Sequence, residues 1–221
     1  MMRYLDELIS TLKAVSIQMK DGAELGFEDG MKLLLSLFFT KKREERTACF
    51  IGNGGSAADA EHLVGELQKG FCLKRPLDEA ERKRLVSFDS VDGQYLADRL
   101  QGGLPAVSLV SQIALGSAVA NDQGGDLALA QSLSALGRRD DVFLGISTSG
   151  NARNVALASL VAHCRDMHVI GLTGRDGGWL AKQAEVCIAV PEDETYRVQE
   201  LHLPVYHALC MMVEDFFFQN P

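Results

Sequence analysis

Residues 49–67 read CFIGNGGSAADAEHLVGEL, and the order of residue types in them points to a fold class. Cys49-Phe50-Ile51 is a short apolar run, Gly52-Asn53-Gly54-Gly55-Ser56 is a turn of small residues, and helix formers follow. Strand, glycine turn and helix make the repeating unit of a parallel sheet. Further apolar runs at 105–110, 142–147, 167–173 and 186–190 join the first, at 47–52. Between most of them lie helical patterns at 56–70, 124–137, 151–166 and 178–184, and a last helix is expected over 196–218. The alternation predicts an α/β fold: a five-stranded parallel sheet flanked by helices in a flavodoxin-like, three-layer arrangement. Ahead of it, apolar residues at helical spacing (Leu5, Leu8, Ile9, Leu12; then Met31, Leu34, Leu35, Phe38) predict two amphipathic helices, over 1–20 and 27–42, within a leading segment 1–44. Residues 77–103, LDEAERKRLVSFDSVDGQYLADRLQGG, break the rhythm and read as a helix or two outside the sheet, an insert in a single domain spanning 1–221.

Composition narrows the partners. A net charge of −8 argues against a broad nucleic-acid or acidic-membrane surface, although a small phosphorylated ligand needs only local donors. The five cysteines, Cys49, Cys72, Cys164, Cys187 and Cys210, show no metal spacing and suit reduced thiols. Asp6 and Glu7 stand where a secretory signal would be apolar, and no run is long enough to span a bilayer. A soluble cytoplasmic chain is expected.

In an open parallel sheet, ligands gather at the carboxyl ends of the strands, where loops enter helix N-termini. Three such junctions are rich in small donors: Gly52–Ser56, then Ser147-Thr148-Ser149-Gly150-Asn151, then Thr173–Gly178. Backbone N–H groups, the helix dipole and the hydroxyls of Ser56, Ser147, Thr148 and Ser149 favour an anion such as phosphate. Any one of them also fits a plain strand-to-helix turn with a cap, and the third is read that way. The first carries neither a dinucleotide fingerprint nor a P-loop signature.

His62 and Glu66 are four apart and share one helix face, with His62 about 10 Å along the axis from the turn. Taken alone they are a solvated pair. The last helix carries a second polar set in RVQELHLPVYHALC, where Gln199 and His207 lie within about 80° of each other around the axis. His202 on the same helix reads as a hydrogen-bonded core residue.

Five stretches, GNGGSAADAEHLVGEL, ANDQGGD, DVFLGISTSGN, GLTGRDGG and RVQELHLPVYH, together resemble the SIS (sugar isomerase) domain family, most closely its phosphoheptose isomerases. The resemblance runs from about residue 45 to 215, with 77–103 outside it. It implies isomerisation of a sugar phosphate between ketose and aldose through an enediolate. Asn53, Gly54, Gly55 and Ser56 match the family's first substrate loop, Asn121 and Asp122 its sugar contact, and Ser147, Thr148 and Ser149 its phosphate turn. Glu66 and His207 match the base and acid, Gln199 matches a substrate contact, and His62, Glu66, Gln199 and His207 match a zinc site found in some members. A homotetramer with sites at subunit interfaces is implied as well. This chain departs from the pattern at Ala152, where a serine is usual, at Tyr196, where an aspartate is, and at Gly70, where an arginine is, besides the insert. A second reading stays open at this point: a non-catalytic SIS protein that binds a phosphosugar or a replication-initiator-type partner.

Overall fold

The computed structural model describes residues 2–39 and 46–219. Their elements run α1 (Met2–Leu12), β1 (Ser16–Met19), β2 (Glu24–Leu25), α2 (Phe27–Phe39), β3 (Ala48–Ile51), α3 (Gly55–Gln68), α4 (Glu79–Phe88), α5 (Asp92–Arg99) and β4 (Ala106–Ser108). There follow α6 (Ile113–Asp122), α7 (Ala128–Leu136), β5 (Val142–Ser147), α8 (Arg153–Cys164), β6 (His168–Thr173), α9 (Gly178–Gln183), β7 (Val186–Ala189) and α10 (Thr195–Phe218). They form one sheet in the order β2-β1-β7-β6-β5-β3-β4.

The five strands from β4 to β7 are mutually parallel, as expected. Two more extend the sheet: β1 runs antiparallel to β7, pairing Ile17 with Ile188, and β2 runs antiparallel to β1. The expectation of one helix over 1–20 is thereby corrected, since the helix stops at Leu12. Beyond it the burial period changes from helical to alternating, with Val15 and Ile17 buried, and the Asp21-Gly22 turn, with Gly22 at φ +85°, folds the chain back. The second expected helix is found as α2, and its residues 40–42 lie outside the described residues. One helix was not anticipated, α6, and the pattern read at 124–137 begins later, at Ala128.

Strand alternation sorts the core into two layers. Phe50, Leu144, Ile146, Ile170, Leu172 and Ile188 face α3, α10 and α2, while Cys49, Ile51, Phe143, Val169 and Cys187 face α7, α8 and α9. Each such fully buried aliphatic or aromatic side chain contributes about 1.5–3 kcal/mol of transfer free energy. The insert is a helical hairpin, α4 against α5, in which α4 buries no residue. Its two ends meet at a bridge between Pro76 and Gln101, and Asp78 caps α4 by accepting from the Glu81 N–H.

The topology places the ligand crevice. After β3 the chain moves out to β4 on one side, whereas β5 on the other side of β3 leads on to β6 and β7. The order therefore reverses between β3 and β5, and the loops leaving those strands diverge to opposite faces of the sheet. These loops are residues 52–54 and 148–152, the first two of the three junctions rich in small donors.

Candidate active site

Gly54 occupies the N-cap of α3 at φ 56° and ψ −121°, a conformation open to glycine and strained for other residues. The turn is closed by Ser56 N–H to Asn53 O at 3.0 Å and Ala57 N–H to Gly54 O at 3.1 Å. Ser56 is buried, and Asn53, Gly54 and Gly55 are exposed. Across the crevice, the amides of Asn53 and Asn154 exchange two hydrogen bonds, at 2.9 and 2.8 Å. Asn154, in the first turn of α8, thus clasps the loop after β3 to the helix after β5.

In the second loop Ser147 is buried, Thr148 half-buried and Ser149 exposed. Gly150 N–H returns to Ser147 O at 2.9 Å, and the Ser149 hydroxyl accepts from Asn151 N–H at 3.2 Å. The third loop holds up the second. Gly174 N–H donates to Thr148 O and Leu180 N–H to Gly150 O, each at 2.9 Å, and Trp179 N–H donates to the Asn151 side-chain carbonyl at 3.0 Å. The turn expected at 173–178 is therefore a buttress, and no side chain caps its helix.

The second half of the site lies between α3 and α10. His62 Nδ1 is 2.9 Å from the Tyr206 hydroxyl, and His62 Nε2 is 3.2 Å from Glu66 Oε1. The Tyr206 hydroxyl donates to Asp59 Oδ1 at 3.3 Å. The His207 ring stands edge-on to His62 and to Tyr206, with centroids 5.0 and 5.1 Å apart, and Phe71 closes the group at 5.2 Å from His207. Three atoms here are buried without a hydrogen-bond partner: Asp59 Oδ2, Glu66 Oε2 and His207 Nε2. The Lys69 ammonium stands 4.0 Å from Glu66 Oε2. Burial and the neighbouring His62 hold His207 below the usual imidazole range against the opposing pull of Glu66, so the ring is neutral at pH 7. Burial likewise raises Asp59, with the Tyr206 hydrogen bond acting against it.

The two halves touch through Gln199. Its amide lies over Gly55, so close that a Cβ built there would be 2.4 Å from Gln199 Nε2. His62, Glu66 and His207 thus lie between α3 and α10, Gln199 stands apart from them over Gly55 at the start of α3, and Asn121 and Asp122 are not joined to them. That pair ends α6, is exposed, and forms one bond, Asn121 Nδ2 to Asp122 Oδ1 at 2.7 Å. Among the described residues no group of three His, Cys, Asp or Glu side chains is arranged to hold a metal. His62 directs one nitrogen to Tyr206 and the other to Glu66, and Gln199 is turned to Gly55, whereas Glu66 Oε2 and His207 Nε2 carry no hydrogen bond.

Three further residues were missed in the sequence. Asp59 precedes His62 by three positions and shares its helix face, a spacing that was available to be read. Tyr206 adjoins His207 but carries no signal of its own, and Asn154 acquires its role only from the sheet topology.

Comparison with known proteins identifies the family. Residues 106–213 match the SIS domain family. The chain is 41% identical over 167 residues to a phosphoheptose isomerase of Thiobacillus denitrificans, covering 74% of this chain and 72% of the relative. It is 36% identical over 217 residues to the phosphoheptose isomerase of Neisseria gonorrhoeae, covering 97% of each. The solved phosphoheptose isomerase from Neisseria gonorrhoeae superposes with a TM-score of 0.63 at 34% identity, over 86% of this chain and 85% of that one. The corresponding structure from Francisella tularensis gives 0.65 at 28% identity, with the same coverage.

Proposed function

The chain belongs to the SIS-domain family of phosphoheptose isomerases, and on that footing we propose that it interconverts sedoheptulose 7-phosphate and an aldoheptose 7-phosphate, with Glu66 as base and His207 as acid. One observation carries the assignment of roles: Glu66 Oε2 and His207 Nε2 are buried, lack hydrogen-bond partners, and sit on facing helices around the same aromatic cluster. Buried polar atoms left without partners are costly, and a reacting substrate satisfies both.

The phosphate is assigned to the turn Ser147-Thr148-Ser149 and the loop Asn53-Gly54-Gly55-Ser56, where backbone N–H groups and hydroxyls supply donors at the sheet's switch point. At the other end, the Glu66 carboxylate takes a proton from C1 of the ketose. The electron pair forms the C1–C2 double bond, and negative charge moves to the C2 oxygen. The His207 N–H donates to that oxygen, as a neutral imidazole suited to an enediolate. Glu66 then returns its proton to C2, while the hydroxyl proton of O1 passes to O2 through the imidazole, leaving the aldehyde at C1. Gln199, against Gly55, orients the sugar chain between the two ends.

Zinc is a separate question. The donors matched to it are of the right class but are not grouped here, so no step above is routed through a metal, and the metal content of the purified protein decides that part. Asn121 and Asp122, exposed and away from Glu66, complete the sugar site when supplied across a subunit interface of a homotetramer. The exposed apolar stripe of Leu5, Ile9 and Leu12 on α1 supports such packing. The net charge of −8 and the free, buried thiols of Cys49, Cys187 and Cys210 support a small-molecule role in the cytoplasm, without nucleic acid. No helix among the described residues is long and apolar enough to cross a membrane.

The test is turnover of sedoheptulose 7-phosphate by wild type, Glu66→Gln and His207→Asn. Wild-type activity is expected, with kcat lowered by roughly 10²–10⁴ in each variant at retained fold. A Glu66→Gln protein within threefold of wild type, roughly the scatter of such assays, overturns the assignment.

A further inference from the structure

Behind Glu66, at the end of α3, lies an ion pair fully removed from solvent: Arg75 Nε donates to Glu214 Oε1 at 2.7 Å, with both side chains 0% exposed. Its remaining bonds are all to the backbone. Arg75 Nη1 donates to Leu67 O at 2.8 Å and Nη2 to Glu66 O at 3.1 Å. Glu214 accepts from the N–H groups of Phe71 at 2.8 Å, Cys72 at 2.7 Å and Leu73 at 3.0 Å. The guanidinium also lies over the Phe218 ring, 4.5 Å from its centroid.

Stability is a poor reason for such a pair. Desolvating two charges costs several kcal/mol each, and apolar replacements of similar volume are often neutral or better. Geometry is a better reason. The carbonyls of Glu66 and Leu67 belong to the last turn of α3, which lacks helical donors, and the residue after the helix, Lys69, is extended and forms no glycine cap. A cation there complements the helix dipole and fixes the turn that carries Glu66. The same carboxylate holds the N–H of Phe71, whose ring packs on His207. Glu214 itself follows His207 by seven residues, two turns along the same face of α10.

We infer that Arg75 and Glu214 are positioning residues for the isomerisation, a buried clasp that fixes the carbonyl of Glu66 and, through Phe71, the ring of His207, so that base and acid keep their spacing. The inference rests on the roles proposed above for Glu66 and His207. Neither clasp residue reaches solvent or substrate, and both act through the two that do.

The experiment uses the full chain and sedoheptulose 7-phosphate, with circular dichroism and thermal unfolding run on every protein. Arg75→Met combined with Glu214→Leu replaces the clasp by apolar groups. It is expected to fold with a Tm at or above wild type, while kcat falls about 10- to 100-fold at a KM near wild type, as for a slight misplacement of catalytic groups. Arg75→Lys keeps the charge but cannot span Glu214 and both carbonyls, and about a tenfold loss of kcat is expected at unchanged KM. A merely structural pair would lower Tm and leave kcat per folded molecule alone. Wild-type kcat in the folded double variant overturns the inference, and where that variant does not fold, wild-type kcat in Arg75→Lys does so. Turnover that survives Glu66→Gln, or is absent from wild type, overturns the underlying assignment and the inference with it. Turnover abolished by Glu66→Gln but kept by the clasp variants overturns the inference alone.

Discussion

His202 lets acid stability be worked from the structure. The side chain is 0% exposed, its Nε2 lies 3.3 Å from Thr173 O, and its Nδ1 has no partner. Burial outweighs the Thr173 hydrogen bond and holds the imidazole down at about 4, against an ordinary 6.5. A histidine held low stays neutral in the folded state while the unfolded chain takes up a proton, so its contribution is whole above 6.5 and is lost as pH falls toward 4. From those two values the loss is about 2 kcal/mol by pH 5 and about 3 kcal/mol by pH 4. With a urea slope of roughly 2 kcal/mol/M, the unfolding midpoint should drop by about 1 M between pH 7 and pH 5 from this residue alone.

The assay is urea unfolding at pH 7, 6 and 5 for wild type and His202→Gln, whose amide can still donate toward Thr173 O without titrating in this range. Asp59 works in the opposite direction, since a carboxyl held high becomes less unfavourable as pH falls, but it is common to both proteins and cancels in the difference. The expected result is a steeper acid loss in wild type, with the two curves converging as pH falls. Parallel curves would refute the reasoning and show that the ring gains a proton partner or water in the folded state.

Two further substitutions probe the phosphate end. Asn154→Ala removes both amide bonds to Asn53, exposed bonds of about 0.5–1 kcal/mol each, so KM should rise about 5- to 30-fold with kcat little changed, as read by steady-state kinetics. Gly54→Ala meets open space but forces a side chain onto φ 56° and ψ −121°, so a loss of about 1–3 kcal/mol should appear in thermal unfolding. Gly54→Asn should not rescue it, because that ψ lies outside the left-handed helical region asparagine tolerates.

The parallel core was legible because each of its strands is a short apolar run closed by small residues, and burial on both faces leaves little room for another reading. β1 was not, because Leu5, Leu8, Ile9 and Leu12 set up a helical period that continues plausibly through Ile17, and the strand exists only by pairing with β7. α6 escaped because its apolar residues form no one-sided stripe: Val119 is buried while Ile113 is 83% exposed. In the site, the two polar sets were visible on their own helices, but their convergence depends on α3 and α10 packing in one layer, which spacing along the chain does not encode. Asp59 and Tyr206 matter only once those helices meet.

The departures at Gly70 and at residues 77–103 are better understood as one change than as two. A Cβ at Gly70 would lie 2.4 Å from Leu73 O and 2.5 Å from Gln101 Oε1, so no larger side chain fits. Gln101 is there because it closes the root of the α4–α5 hairpin, pairing with Pro76 and accepting from the Gly70 N–H at 2.7 Å. An arginine four residues after Glu66 is thus incompatible with the root of this insert. Lys69 lies 4.0 Å from Glu66 Oε2 on an exposed side chain, while the buried cation, Arg75, donates to Glu214 and to the backbone carbonyls of Leu67 and Glu66. Positive charge at this end of α3 is therefore divided between a buried group that holds the helix and an exposed one beside the Glu66 carboxylate. A hairpin shortened within Asp78–Leu100 leaves that division intact. A change at Gln101 together with Gly70 would alter it, and there the fold and the chemistry of this site are coupled.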